Sequence, residues 1–165
     1  INNLYDKKVN QMKFFFFIAL ILFFQQKIYA VELSGFSKIV DGDTIYIESN
    51  KIRLADIDAP EMKQKCKKNG KEYFCGKISK QKLKEKIGKM KVNCFSSGKD
   101  RYKRYLATCF SGKVNLNKWM VKNGHAISYR RYSTKYNNDE IYAKTNKLGI
   151  WSGSFINPEK WRKLN

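Results

Sequence analysis

The order of strand-like and helix-like segments is the feature that most constrains the fold of this 165-residue chain. Five short strand patterns, bounded by turn residues, cover Phe36 to Val40, Thr44 to Glu48, Lys51 to Ile57, Lys89 to Phe95 and Tyr105 to Phe110. Helix-like patterns cover Cys75 to Lys89, where Ile78, Leu83 and Ile87 recur at helical spacing, Leu116 to Lys122, and Asn138 to Lys147. Because early strands followed by helices disfavour a βαβ alternation, we predict an α+β domain with a small five-stranded barrel.

The first thirty residues are interpreted as upstream sequence and a targeting segment rather than as part of the fold. Phe14 to Phe24 is an unbroken apolar run that follows Met12, the expected first residue of the segment, and precedes Ile28-Tyr29-Ala30. As a helix this run reaches about 16 Å, which is too short for the roughly 30 Å hydrocarbon core of a bilayer. We therefore predict a signal peptide cleaved after Ala30 and a secreted or periplasmic domain at 31–165. An uncleaved membrane anchor is the alternative.

The charge balance indicates a polyanionic partner. The chain contains 34 Lys and Arg residues against 14 Asp and Glu residues, which gives a net charge of +20. Such a surplus is typical of proteins that bind nucleic acid and, less often, of proteins that bind an anionic membrane. A soluble protein that is merely basic would have the same composition. Charge alone therefore does not identify a reaction.

The four cysteines form an even set, which in an exported protein favours disulfides over free thiols. A structural zinc site is disfavoured because the chain has one histidine and no Cys-x-x-Cys pair. Three pairings are possible. The strand-like runs that contain Cys94 and Cys109 flank one polar loop near Arg101, so a hairpin there would place these two cysteines opposite each other. We favour that pair together with Cys66–Cys75.

Three short polar motifs contain the side-chain types that phosphodiester hydrolysis requires. They are Asp41-Gly42-Asp43-Thr44, the run from Arg53 to Glu61, and the run from Asp100 to Ala107. Their carboxylates could hold a hard cation and supply a base, and their arginines could bind a phosphate whose negative charge increases as water attacks. The alternative is that these residues only form turns and exposed loops, in which Asp and Gly are common.

These motifs resemble the staphylococcal nuclease (thermonuclease) family. The similarity extends from about Phe36 to about Ser152, with the D-G-D-T turn, the R-L-x-x-x-D-x-P-E strand exit and the D-x-Y-x-R-x-L-A hairpin in family order. Asn117 to Gly124 and Lys147 to Trp151 also resemble the two later helices of the family. The resemblance implies an OB-fold barrel of five strands with about three helices. It also implies calcium-dependent hydrolysis of DNA and RNA.

The resemblance further implies roles for individual residues. The calcium site would consist of Asp43, Asp58 and the backbone carbonyl of Ala59, with Asp41 behind the metal. Catalysis would depend on Arg53, Glu61 and Arg104. The residue types agree with these roles, because calcium prefers carboxylate, carbonyl and water oxygens, and arginine presents a planar fork to phosphate oxygens.

The expected substrate-binding residues combine aromatic rings with positive charge, a mixture suited to single strands. They are Arg101, Tyr102, Tyr129 and Tyr132. Two features depart from the best-known pattern of the family. The loop after Glu61 carries a cysteine pair, which resembles the exported bacterial branch, and Lys103 stands where the family usually has glycine. If the backbone there requires a positive φ, lysine costs about 1 kcal/mol.

Two other function classes are compatible with the composition. A catalytically silent OB module would bind nucleic acid without cutting it, but it would be expected to lack some of the residues just assigned to metal binding and catalysis. A cationic envelope-binding protein would bind lipid and show no nuclease activity. We expect a monomeric nuclease that prefers single-stranded substrates.

Overall fold

The computed structural model describes residues 30–165, so the predicted upstream sequence and signal peptide lie outside the described residues, apart from Ala30. The main sheet comprises β1 (Val31–Gly35), β2 (Ser37–Ile39), β3 (Thr44–Ile47), β4 (Asn50–Leu54), β8 (Val92–Lys99), β9 (Tyr105–Ser111) and β10 (Val114–Asn115). Two separate strand pairs are β5 (Ile57–Asp58) with β11 (Ile127–Ser128), and β6 (Lys65–Lys68) with β7 (Lys71–Phe74).

Four α-helices accompany the strands in this part of the chain. They are α1 (Cys75–Ile87), α2 (Leu116–Lys122), α3 (Asn137–Thr145) and α4 (Pro158–Leu164), with a short 3₁₀ helix at Gly149–Ser152. Within residues 30–165, no helix has the length and apolar character needed to cross a membrane.

The main sheet has the strand order β1-β8-β9-β4-β3-β2, and β10 is added beside β9. Neighbouring strands are antiparallel except for β4 and β9, which are parallel. The sheet curls into half a barrel, and the predicted α+β, OB-like architecture is confirmed. Within residues 30–165 this sheet has seven strands rather than five, because β1 extends one edge and β10 pairs with β9.

Two elements near the site differ from the sequence-based expectation. The strand expected from Lys51 to Ile57 is interrupted by a turn in which Asp56 has a φ of 66°, so β5 is a separate strand. Helix α4 was not predicted, although Asn157 and Pro158 are typical of a helix start. The Asn157 side chain accepts the N–H groups of Glu159 and Lys160, which caps the helix.

The core lies between the curled sheet and helices α1 and α2. Along β3 and β4 the inward-facing side chains are fully or almost fully buried, as expected for a sheet with one face on the core. Helix α1 contributes Leu83 and Ile87 to this core, whereas Ile78, the third apolar residue at helical spacing, is 46% exposed. The lysine-rich remainder of α1 faces solvent.

Both favoured disulfides are present. Cys94 lies directly opposite Cys109 in the antiparallel β8–β9 pair, and their Cα atoms are 4.0 Å apart. Cys66 in β6 is bonded to Cys75, the first residue of α1, with Cα atoms 5.6 Å apart. The first bond therefore joins the strands that lead into the third motif, and the second joins the β6–β7 hairpin to α1.

Removal of the disulfide between β8 and β9 should destabilise the fold. The bond closes a segment with a sequence separation of 15. A Cys94→Ala/Cys109→Ala variant should lose about 3 kcal/mol of unfolding free energy, because the unfolded chain gains conformational freedom. Guanidinium denaturation measures this difference. An unchanged transition midpoint would show that the bond does not constrain the chain in solution.

Candidate active site

The first motif forms the turn between β2 and β3 and carries two carboxylates. The N–H of Asp43 donates to Asp41 Oδ1 at 3.0 Å, which closes the turn. Glycine is required between the two aspartates, because a Cβ on Gly42 would overlap Ser79 of α1 and Ala59. This close approach of α1 and the second motif fixes the position of Asp43, which is 4% exposed.

Arg53 joins the carboxylates of the first and second motifs. Its Nη1 donates to Asp43 Oδ1 at 2.6 Å, and its Nη2 donates to Asp58 Oδ1 at 2.9 Å. The register of β3 against β4 places Arg53 opposite Thr44, beside Asp43. The side chains of Asp43 and Asp58 are 6% and 0% exposed, so their charges must be compensated inside the protein. Arg53 provides part of this compensation.

The backbone of the second motif completes the surroundings of Asp43. The N–H of Ala59 donates to Asp43 Oδ2 at 3.0 Å, and Ala59 itself is 4% exposed. Asp58 lies in β5, opposite Ile127 of β11. The structure thus brings Asp43, Asp58 and the Ala59 backbone together.

Arg162 is a second arginine that pairs with Asp58, and the sequence analysis did not identify it. It lies on α4 and pairs with Asp58 through two contacts of 3.0 Å, from Nη1 to Oδ1 and from Nη2 to Oδ2. Nη1 also donates to Glu61 Oε1 at 2.8 Å. Nothing in the sequence distinguishes Arg162 from the other lysines and arginines, because only folding brings position 162 beside position 58.

Burial shifts the pKa values of several of these groups. Burial, followed by the charge of Asp43, raises the pKa of Asp41 to about 6. Burial also raises the pKa of Asp58, although hydrogen bonds from Arg162 act in the opposite direction. For Arg53, burial by itself would lower the pKa, but the charges of Asp43 and Asp58 outweigh it and raise the pKa. The guanidinium therefore remains charged between its two carboxylates.

The third motif forms the turn between β8 and β9. Asp100 fixes Arg104, since its Oδ1 accepts the Arg104 N–H at 2.9 Å and its Oδ2 lies 2.8 Å from Nε and 2.7 Å from Nη2. Lys103 has a φ of 62°, so this position does adopt the backbone conformation that favours glycine. The Tyr102 ring is 64% exposed and lies under the guanidinium groups of Arg101 and Arg104, at 4.8 and 5.4 Å.

This turn lies alongside the carboxylates rather than among them. The parallel pairing of β4 and β9 sets Arg53 opposite Leu106, two residues after Arg104. Within residues 30–165, no hydrogen bond or ion pair joins Arg104 to Asp43, Asp58 or Glu61. A substrate that contacts both groups would therefore bridge two neighbouring strands.

The other two expected substrate residues lie in the loop after β11. The rings of Tyr129 and Tyr132 meet edge to face at 4.9 Å, and Tyr132 is 69% exposed. Burial, followed by the charge of Asp58, raises the pKa of Tyr129. The Tyr129 N–H donates to the Asp56 carbonyl at 2.9 Å, which places the residue beside the second motif. Arg131 of the same loop pairs with Glu159 of α4 at 3.0 Å, so the loop and the helix are connected.

The donor atoms of the site suit a hard cation. The carboxylates of Asp43 and Asp58 contact the two Nη atoms of Arg53, so they lie close to each other. The carbonyl of Ala59 belongs to the same buried segment as Asp58. Calcium takes about six to eight oxygen ligands, so water and substrate phosphate would have to supply most of them. Residues 30–165 contain no group of three or more His, Cys, Asp or Glu side chains placed to hold a metal. The donors fit calcium in type but form only part of a coordination shell.

Comparison with known proteins identifies the family. The family model described as "Staphylococcal nuclease homologue" matches residues 51–153. The chain belongs to the staphylococcal nuclease family. It is similar to the micrococcal nuclease of Shigella flexneri, with 32% identity over 147 residues, which cover 78% of this chain and 79% of that protein.

Two further relatives have a similar level of sequence identity. An uncharacterized endonuclease of Haemophilus influenzae is 37% identical over 138 residues, covering 76% of this chain and 70% of that protein. The succinoglycan biosynthesis protein ExoI of Rhizobium meliloti is 36% identical over 128 residues, covering 74% of this chain and 66% of that protein. The range matched by the family model contains positions 53, 58, 61 and 104, begins after Asp41 and Asp43, and ends before Arg162.

The strained position in the third motif leads to a stability prediction. Lys103→Gly should raise the free energy of unfolding by about 1 kcal/mol, because glycine has no Cβ that disfavours a positive φ. Lys113→Gly is the matched control, since Lys113 lies in the turn between β9 and β10 and does not have a positive φ. Urea denaturation compares the two variants. Equal or lower stability of Lys103→Gly than of the wild type would contradict the prediction.

Proposed function

We propose that this protein is a calcium-dependent nuclease that hydrolyses phosphodiester bonds of DNA and RNA. The observation that carries the proposal is one connected group of three carboxylates and two guanidinium groups, formed by Asp43, Asp58, Glu61, Arg53 and Arg162. Family membership and the nuclease relatives support the reaction class. Little sugar or sequence specificity is expected, because the proposed contacts are made to phosphate.

The proposed cation site consists of Asp43, Asp58 and the carbonyl of Ala59, with Asp41 behind it. When bound, calcium supplies a Lewis acid that polarises the phosphate and stabilises its developing charge. In the structure Nη1 of Arg53 donates to Asp43, and Nη2 donates to Asp58 and to the Ile57 carbonyl, so the Nε–H and the second N–H of Nη1 are the donors proposed for a phosphate oxygen. Arg53 therefore serves both the carboxylates and the substrate.

Glu61 is proposed to orient and deprotonate the attacking water. Arg162 holds Oε1, and Oε2 has no protein partner in residues 30–165. The water oxygen forms the new bond to phosphorus while its proton passes to Glu61 Oε2. The bond from phosphorus to the leaving sugar oxygen breaks, and that oxygen takes a proton from solvent.

Arg104 is proposed to stabilise the charge that develops on the phosphate. Asp100 engages Nε and Nη2, so Nη1 points away from this pair as a preorganised donor. One such donor is worth on the order of 3–4 kcal/mol in the transition state. The exposed rings of Tyr102 and Tyr132 lie next to guanidinium groups and offer stacking surfaces for unpaired bases, which supports a preference for single strands.

Export and a monomeric state complete the proposal. All four cysteines are paired in disulfides, and such bonds persist in oxidising compartments outside the cytosol. Recovery of the mature domain from the periplasm or medium would test export, and its hydrodynamic radius would test the monomeric state.

The metal requirement can be tested at Asp43. Asp43→Asn removes the charge and leaves one side-chain oxygen, which can accept from Arg53 or from the Ala59 N–H but not from both. Calcium-dependent cleavage of single-stranded DNA should therefore fall by about ten-fold or more. EGTA should abolish cleavage by the wild type. Glu72→Gln, which alters an exposed carboxylate of β7, is the control and should cleave normally. Full activity of Asp43→Asn, or cleavage in EGTA, would exclude the proposed cation site.

Catalysis and binding should be separable by substitution. At saturating single-stranded DNA, Glu61→Gln and Arg104→Ala should reduce turnover by on the order of a hundred-fold while DNA still binds. Replacement of the exposed lysines Lys77, Lys84 and Lys89 by glutamine should instead weaken binding and reduce its salt dependence, with turnover nearly unchanged. If the wild type binds DNA but never cleaves it, the protein is the silent OB module.

A further inference from the structure

The segment before α4 is tied firmly to the β6–β7 hairpin. Lys67 and Ser154 exchange two backbone hydrogen bonds of 2.9 Å, and a Cβ on Gly153 would overlap the Lys67 carbonyl. Cys66, next to Lys67, forms the disulfide with Cys75 of α1. A continuous set of backbone and covalent contacts therefore leads from α1 to the start of the C-terminal segment.

Helix α4 is held beside the site by contacts that do not involve Arg162. Pro158 in its first turn is buried, and Glu159 pairs with Arg131. The side chain of Gln64, which is 0% exposed, donates from Nε2 to the carbonyl of Ile156 at 2.6 Å. The helix should therefore remain docked when the Arg162 side chain is altered.

Glu61 has a fixed backbone but few restraints on its side chain. Its N–H donates to Gln64 Oε1 at 3.1 Å, and its carbonyl accepts the Gln64 N–H at 2.8 Å. Its side chain is 33% exposed and, within residues 30–165, makes its one hydrogen-bonded contact with Arg162. The orientation of this carboxylate thus depends on a residue that lies 101 positions further along the chain.

We propose that Arg162 is a positioning residue that holds the Glu61 carboxylate at a fixed place relative to Asp58. One planar guanidinium contacts both acids, and its paired bonds to the buried Asp58 fix the direction in which Nη1 meets Glu61. This inference rests on the proposed function, in which Glu61 Oε2 receives the proton of the attacking water. Arg162 acts through Glu61 and does not itself contact the substrate.

The geometry requires arginine rather than any cation. A lysine ammonium is a compact charge and cannot present two parallel donors to Asp58 while a third contact reaches Glu61. Arg162→Lys should therefore keep the charge and restore activity only in part. Lys160 lies on the same helix, is exposed, and provides a matched position at which one positive charge can be removed without altering this contact.

The kinetic test compares turnover of single-stranded DNA in calcium. Arg162→Gln should lower kcat by about ten-fold or more, the usual range for partners that orient functional side chains, with KM changed by less than about three-fold. Lys160→Gln should change kcat by less than about two-fold, as expected for an exposed surface charge. Wild-type or faster turnover by Arg162→Gln would overturn the proposal, and faster turnover would identify Arg162 as inhibitory.

A double-mutant cycle distinguishes positioning from a general structural effect. If Arg162 acts through Glu61, adding Arg162→Gln to Glu61→Gln should lower kcat by no more than about two-fold further. A further loss as large as that seen in the wild-type background would show that Arg162 acts independently of Glu61, and would overturn the proposal.

The same four proteins, unfolded in urea with EGTA present, provide a readout that does not depend on activity. The effects of the Glu61 and Arg162 substitutions on unfolding free energy should be non-additive, because the two side chains are in contact. Additive effects would show that the contact does not form in solution and would reject the inference. If the effects are non-additive but the wild type cleaves no nucleic acid, the proposed nuclease function fails while Arg162 still holds Glu61.

Discussion

The buried pairing of Arg53 with two aspartates is the interaction on which the rest of the site depends. Two carboxylates with almost no solvent contact repel each other and lose hydration, so they coexist only where a cation or guanidinium compensates them. Arg53 does so from the middle of the sheet, because the β3–β4 register sets it beside the turn that carries Asp43. The turn between β4 and β5 then places Asp58 within hydrogen-bond distance of the Arg53 guanidinium.

A second constraint comes from the end of the chain. The segment around Ser154 pairs with β6, and this pairing places α4 and Arg162 against Asp58 and Glu61. The Cys66–Cys75 disulfide holds the β6–β7 hairpin on α1. The disulfide and the backbone pairing of Lys67 with Ser154 therefore stabilise the same part of the structure. Segments that are far apart in sequence therefore converge on Glu61, and the contacts of Arg162 with Asp58 and Glu61 form only when the C-terminal helix is docked.

The sequence predicted those elements whose signals are local. Helix α2 was predicted with the same bounds as in the structure, because an amphipathic pattern and the Asn123-Gly124 stop occur within one short segment. The Cys94–Cys109 pair was predicted because a hairpin places its two members opposite each other. Strand β4 was expected to continue too far, because aspartate is compatible with a positive φ but does not require one, and the apolar strand pattern continues to Ile57. Lys103 was recognised as a glycine-like position only through the family resemblance.

The sequence by itself determined the class of the fold, the favoured disulfide pairing, the basic charge and the motifs that supply carboxylates and arginines. These follow from residue type and short spacing, which act through local backbone preferences and hydrophobic periodicity. Tertiary structure alone decided which charges compensate one another. Arg162 is one of many basic residues in the sequence, and it became a partner of Asp58 and Glu61 only because chain packing removed these carboxylates from water and brought α4 to them.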